Sequence, residues 1–214
     1  NHDVIVYGLN ILKRQKTKVV AYLLGENIKV YPDVKMIVIK IDSTSQGNLA
    51  RGMVGQRLLQ EIEDELLSIE HLEDYTLIAM MHHHLMPLRK DDFLKTKWNE
   101  KLFMGKIADS TKALVDAQDV MYWLEKHHVR YIFHGHKHIP CVVKKENSYI
   151  MAGGSSCGGG TKERKSRYLS YNLLKYNRNE QRFKYCFVFY DDLTKQERHR
   201  VKIKLFMEDE NEIS

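Results

Sequence analysis

Residues 133 to 138 read Phe-His-Gly-His-Lys-His, directly after the apolar run Val129-Arg130-Tyr131-Ile132 and before Ile139-Pro140-Cys141-Val142-Val143. Two imidazoles one residue apart, His136 and His138, converge on one small centre if the backbone leaves the extended form, and Gly135 before them allows such a turn. Neutral imidazole suits Zn, Fe, Ni and Mn-like ions, so the first chemistry this spacing offers is metal ligation. A chance Gly-His-x-His in a chain of 214 residues with 11 His is the competing explanation, and two ligands do not make a site. A second group follows another apolar run: Thr76 to Met81 leads into His82-His83-His84, so His82 falls at a strand end as His136 does. For His83 and His84 the plain expectation is a polar exit from the sheet. The chain opens Asn1-His2-Asp3, which carries weight only through its place ahead of the other two groups.

The elements that must position these residues alternate along the chain. Residues 35 to 41, 76 to 81 and 129 to 133 are short apolar runs rich in β-branched residues, the pattern of strands buried on both faces. Between them, Val54, Leu58, Ile62 and Leu66 repeat at four-residue steps within 53 to 67, and Leu114, Ala117, Met121 and Leu124 share one face within 113 to 126. Both stretches read as core-packing helices. Beyond residue 148 the period changes to two: Phe183, Tyr185, Phe187 and Phe189 alternate with Lys184, Cys186, Val188 and Tyr190, and Val201, Ile203 and Leu205 alternate with lysines. The chain is therefore expected to finish in antiparallel strands. In open α/β sheets the strand ends are where sites gather, and all the candidate ligands stand there.

Composition bounds the rest. A 214-residue chain with 43% hydrophobic residues can bury one core, and a single domain over 1–214 is expected. Cys141, Cys157 and Cys186 are widely spaced, odd in number and form no C-x-x-C pair, so neither a disulfide framework nor a zinc knuckle is suggested and a reducing, cytoplasmic setting is expected. No run approaches the roughly 20 apolar residues of a membrane span, and no signal segment opens the chain, so no membrane partner is expected. The net charge of +6 favours a phosphate-bearing substrate only weakly, because the basic residues are spread among 28 acids.

Taken in order, the groups resemble the calcineurin-like metallophosphoesterase family. That family carries a G-N-H-[DE] motif, a strand-terminal His and a G-H-x-H motif in this sequence. Asn1-His2-Asp3 matches all but the leading glycine of the first, His82-His83-His84 stands for the second, and Gly135-His136-Lys137-His138 for the third. Ile41-Asp42-Ser43-Thr44 with the helix after it is similar to the family's strand, Asp-Ser turn and helix. Tyr149 to Ser156 resembles its Gly-Ser loop, and Tyr168 to Tyr176 the strand after that.

The resemblance implies an α/β fold, a four-layer α/β/β/α sandwich of which this chain supplies the C-terminal half. It implies that Asn1, His82 and His136 bind one metal and His138 the other, with His2 beside the substrate and Asp3 orienting it. His82 rather than His83 is assigned because it directly follows the apolar run. Two divalent ions, Mn, Fe or Zn, would polarise phosphoryl oxygens for in-line attack on the phosphorus of a phosphomonoester or phosphodiester. A protonated His2 would neutralise charge or hand a proton to the leaving oxygen. The family's upstream D-x-H and G-D-x-x-D motifs are not in this sequence, so the full dinuclear site is expected to need an N-terminal half in the same or another chain. Within the same chemistry a nuclease or cyclic-nucleotide phosphodiesterase, with nucleotide or nucleic acid as substrate, is the alternative. From a different class, a non-catalytic binding scaffold on the same fold would have no chemical reason to keep the ligand positions.

Other residues draw plainer expectations. His127 and His128 close a helix, where imidazolium suits the negative end of the dipole. Trp98 and Phe103, within charged residues 88 to 105, read as a surface insertion with its own apolar contact rather than a lid. Lys162, Arg164, Lys165 and Arg167, after the glycine-rich 153 to 160, read as a solvated run.

Overall fold

Met36–Ile41 buries Ile37, Ile39 and Ile41 while Met36, Val38 and Lys40 stay half-exposed, the two-residue period of a strand with unequal faces. This strand, β2, is therefore not fully buried on both faces as its apolar run suggests. The computed structural model describes residues 25–44, 52–86, 114–136, 141–153, 168–192 and 199–206. Among them the order is β1 (Ile28–Tyr31), β2, α1 (Gln56–Leu67), β3 (Thr76–Met81), α2 (Ala117–Lys126), β4 (Tyr131–His134), β5 (Cys141–Lys145), β6 (Ser148–Ala152), β7 (Tyr168–Asn177), β8 (Arg182–Asp192) and β9 (His199–Phe206).

The first six strands form one sheet in the order β1-β2-β3-β4-β6-β5. Strands β2, β3, β4 and β6 run parallel, with β1 and β5 antiparallel at the two edges. A helix lies between β2 and β3 and another between β3 and β4, as parallel neighbours require. One face of this sheet, through Ile37, Ile39, Leu77, Ala79, Ile132 and Ile150, packs against Leu59, Ile62 and Leu66 of α1 and Val120, Trp123 and Leu124 of α2.

The other face meets the three-stranded antiparallel sheet β7-β8-β9. Phe183 stands edge-on to Tyr131 at 4.8 Å and to Phe133 at 5.9 Å, and its backbone N–H donates to the Tyr131 hydroxyl at 3.0 Å. Thr76 Oγ1 donates to the Gln181 carbonyl at 2.9 Å, and Asn172 Nδ2 to that of Ala152 at 2.8 Å. The described layers are thus α/β/β, a mixed α/β architecture.

Strict alternation along β8 would put Phe183 on one face with Tyr185, Phe187 and Phe189. A register shift at Lys175/Tyr176 separates them: Phe183 pairs with Tyr176, whereas Tyr185, Phe187 and Phe189 pair with Lys175, Leu173 and Tyr171. The extra residue of a bulge reverses the alternation beyond it. Phe183 is left in the contact between the sheets, while Tyr171 and Leu173, on the other side of the shift, are exposed. Among the described residues no helix is long and apolar enough to cross a membrane.

The entry to α1 is fixed from a distance. Gly55 at the N-cap has φ 81° and no side chain to cap with. The Asp116 carboxylate, at the N-cap of α2, accepts from the backbone N–H of Val54 at 3.1 Å and of Gly55 at 2.7 Å. A negative group there satisfies N–H groups ahead of the helix and complements its dipole. Asp116→Ala is expected to lower stability by about 1–2 kcal/mol, with Asp116→Asn in between. Urea unfolding followed by far-ultraviolet circular dichroism measures the difference.

Candidate metal centre

Strands β3 and β4 pair in parallel, with Ile78 opposite Tyr131, Ala79 opposite Ile132 and Met80 opposite Phe133. Both strands therefore leave the sheet at the same end, one at His82 and the other at Gly135-His136. The Gly135 N–H donates to the His82 carbonyl at 3.0 Å, tying the two exits together beyond the last ladder pair. The turn that follows is taken by His136 itself, at φ 68°. Gly135 was the residue expected to supply it, yet among the described glycines only Gly55 has positive φ. A left-handed non-glycine residue is uncommon, costs of order 1 kcal/mol, and clusters where surrounding structure enforces it.

The exits bring three imidazoles together. His136 Nδ1 and His82 Nε2 are 3.3 Å apart, and one ring nitrogen from each of His82, His83 and His136 lies within 4.8 Å of the others. The His83 ring centroid is 4.8 Å from those of both His82 and His136. His84 stacks on His136 at 5.5 Å with 19° between the planes.

His83 and His84 do not leave the sheet toward solvent as their composition suggests: each is 1% exposed. Tertiary packing accounts for His83. The segment after β2 folds back so that Ser43, wholly buried, places its Oγ 2.9 Å from His83 Nδ1 and accepts the His83 backbone N–H at 3.1 Å. Gly52 lies against the same ring, where a Cβ would meet His83 Nδ1, His83 Cγ and the Ser43 carbonyl. The Met53 N–H donates to that carbonyl at 3.1 Å, and Asp42 Oδ1 accepts both the N–H and the hydroxyl of Thr44, at 2.8 and 2.7 Å. The Asp-Ser turn is thus built to hold Ser43 under the histidines.

Burial is the main reason that the His83 pKa lies below the ordinary imidazole value. His134, the last residue of β4, is pushed down to about 4 by burial. Both rings are neutral near pH 7, and neutral imidazole is the form that ligates metal. His127 is held low chiefly by burial as well, although it faces Glu63 at 3.5 Å, and it sits among helix contacts away from the cluster.

Of the residues singled out from sequence, His82 and His136 come together here. Asn1, His2, Asp3 and His138 lie outside the described residues, as do Trp98, Phe103, Cys157, Lys162, Arg164, Lys165 and Arg167. The sequence reading assigns His82 rather than His83 as the ligand, gives Ser43 no role at the site and does not single out Gly52. The turn resembling Asp-Ser was noted, but its contact with His83 spans 40 residues and no local period signals it.

No family model matches the sequence, and no curated protein matches it. Solved structures do. Wild-type Vps29 complexed with Zn+2 from Entamoeba histolytica is 11% identical, with 78% of this chain and 98% of that chain covered and a TM-score of 0.30. Vacuolar Protein Sorting 29 from Cryptosporidium parvum is 10% identical over 79% of this chain and 97% of its own, with a TM-score of 0.29. A conserved uncharacterized protein from Streptococcus pneumoniae, described as a predicted phosphoesterase, is 10% identical over 78% and 97%, with a TM-score of 0.27. Likenesses this slight carry nothing about ligand or activity, and the chemistry of the site rests on its geometry.

That geometry fits a metal. Ligand atoms bound at about 2.05 Å around a tetrahedral centre lie about 3.3 Å apart. His136 Nδ1 and His82 Nε2 stand at that separation, although a shared proton between the two rings would give the same distance. A nitrogen of His83 lies within 4.8 Å of ring nitrogens of the other two. Imidazole nitrogen donors suit Zn, Fe, Mn-like or Ni ions.

Two stability predictions follow from the packing around these rings. Gly52→Ala is expected to cost about 1–3 kcal/mol by overpacking against His83 and the Ser43 backbone, read from the denaturation midpoint. For His134 the folded pKa of about 4 lies below the unfolded value of about 6.5. The unfolded chain then binds more protons, so the contribution is complete above pH about 6.5 and is lost as pH falls toward 4, about 3 kcal/mol in all. A pH series of unfolding free energies should show this slope, and His134→Phe should flatten it.

Proposed function

We infer that this chain belongs to a metal-dependent phosphoesterase that hydrolyses a phosphomonoester or phosphodiester at a dinuclear centre. The observation that supports this reading is the convergence of His82, His83 and His136 at adjoining exits of two parallel strands, with the His82 and His136 nitrogens at 3.3 Å. The residue order noted in the sequence supports it too, since Asn1-His2-Asp3, the strand-end histidines and Gly135-His136-Lys137-His138 follow one another as they do in calcineurin-like metallophosphoesterases.

In this reading His82 and His136 hold one metal together with Asn1, and His138 holds the second. The metals, when bound, supply Lewis-acid stabilisation of phosphoryl charge and a nucleophile active at neutral pH. The chain's own residues do the rest. Burial keeps His83 neutral, and the Gly135–His82 backbone hydrogen bond keeps two ligand positions in register. His2 donates a proton to the leaving oxygen or neutralises charge on the transferring group, and Asp3 orients His2. The proposal includes a four-layer α/β/β/α sandwich over a single domain, completed with its carboxylate ligands by a segment preceding Asn1 or by another chain. It also includes a phosphoester partner, a nucleotide or nucleic acid among the choices, and a cytoplasmic setting.

The test uses the complete protein loaded with Mn or Zn, with bound metal measured by inductively coupled plasma mass spectrometry and turnover on a phosphodiester model substrate. His136→Ala is expected to remove metal and activity together. His2→Ala should keep its metal and lose about 10²–10⁴-fold in turnover, the span of general acid–base catalysis. Equal metal loss in both variants would contradict the division of roles, and full metal content without turnover in the wild type would leave a binding scaffold.

A further inference from the structure

We propose that Ser43 is a positioning residue that makes His83 a metal ligand through Nε2, by accepting the Nδ1 proton of its ring. The assignment rests on the metal-centre reading above and names a ligand and a support that the sequence comparison does not. It starts from what Ser43 Oγ can do. A hydroxyl has one proton and two lone pairs. One lone pair takes the His83 backbone N–H at 3.1 Å, and the ring Nδ1 stands 2.9 Å from the same oxygen.

Two neutral tautomers are compatible with that contact. If Ser43 donates its proton to Nδ1, the ring proton sits on Nε2, which then cannot ligate. If Nδ1–H donates to the second lone pair of Ser43, Nε2 keeps its own lone pair and can serve as a ligand. Ligating histidines usually donate their other ring N–H to a fixed acceptor, which sets both tautomer and ring plane.

Ser43 is buried completely and His83 is 1% exposed, so bulk water is not at hand to replace the hydroxyl. Gly52 lies against the same part of the ring, its missing side chain leaving room for Nδ1 and Cγ. Ser43 and Gly52 belong to the turn and entry segment between β2 and α1, joined by the Met53 N–H to Ser43 carbonyl bond at 3.1 Å. One element of the chain thus fixes a ligand carried by another, 40 residues away.

The test separates this inference from the metal reading beneath it. Long-range ¹H–¹⁵N correlation spectra of the metal-free, complete wild-type protein report the tautomer of His83 directly. The Nδ1–H form is expected, and an Nε2–H form overturns the inference whatever the variants do. Zinc titration followed by calorimetry then compares wild type, Ser43→Ala and Ser43→Thr, each checked for folding by circular dichroism. Ser43→Ala should weaken zinc binding about 10–100-fold, the usual cost of losing such a support, and Ser43→Thr, which keeps the hydroxyl, should restore it. If Ser43→Ala binds zinc as wild type does, Ser43 holds no ligand, while zinc uptake abolished by His136→Ala would still uphold the metal centre. If wild type takes up no zinc, manganese or iron, the metal reading fails and this assignment with it.

Discussion

The site depends on one register. Strand β3 lies parallel to β4 with Met80 opposite Phe133, and the Gly135 N–H reaches back to the His82 carbonyl. A slip of one residue would send every side chain of a strand to the opposite face. Here a slip of β3 would put Ala79, or a slip of β4 Ile132, into the layer between the sheets, and either would carry His82 and His136 apart. The helical face forbids the slip, because Leu77, Ala79, Ile132 and Ile150 belong to the same buried cluster as Leu59, Ile62, Val120 and Leu124. Apolar packing on one side of the sheet thus sets the separation of two polar groups at its end.

The second sheet makes the register doubly determined. Tyr131 stacks on Tyr149 at 5.9 Å and meets Phe183 edge-on, while its hydroxyl takes the Phe183 N–H. Edge-to-face aromatic pairs of this kind add roughly 0.5–1.5 kcal/mol beyond their buried area. Phe183 reaches that contact only because the bulge near Lys175 and Tyr176 reverses the alternation of β8. On the other side of the shift Tyr171 and Leu173 of β7 are 44% and 54% exposed.

Burying imidazoles where two central strands leave the sheet favours their neutral form. Burial of an unpaired charge costs far more than burial of a polar group with a partner. Burial accordingly holds His83 and His134 below the ordinary imidazole range. Neutrality serves folding and ligation alike, since a protonated ring neither sits well in this setting nor offers a lone pair. The left-handed backbone of His136 marks the same compromise, a local strain kept in place by the strand before it and the ring contacts around it.

The sequence by itself determined the element types and the strand-end positions of His82 and His136. Runs such as Thr76–Met81 and Tyr131–His134, and the spacing of Ile62, Leu66, Met121 and Leu124, are local signals with the periods of the structures they form. The edge strand Ile28–Tyr31 and the hairpin of Cys141–Lys145 with Ser148–Ala152 were not read, being short segments whose pairing is supplied by neighbours. Only the tertiary structure decided that His83 and His84 turn inward, that His136 rather than Gly135 takes the left-handed turn, and that Ser43 lies against His83. The reason is range. A strand's period is written in residues two apart, whereas the surroundings of an imidazole are set by whatever chain the sheet and helices bring beside it, and that chain comes from 40 residues away.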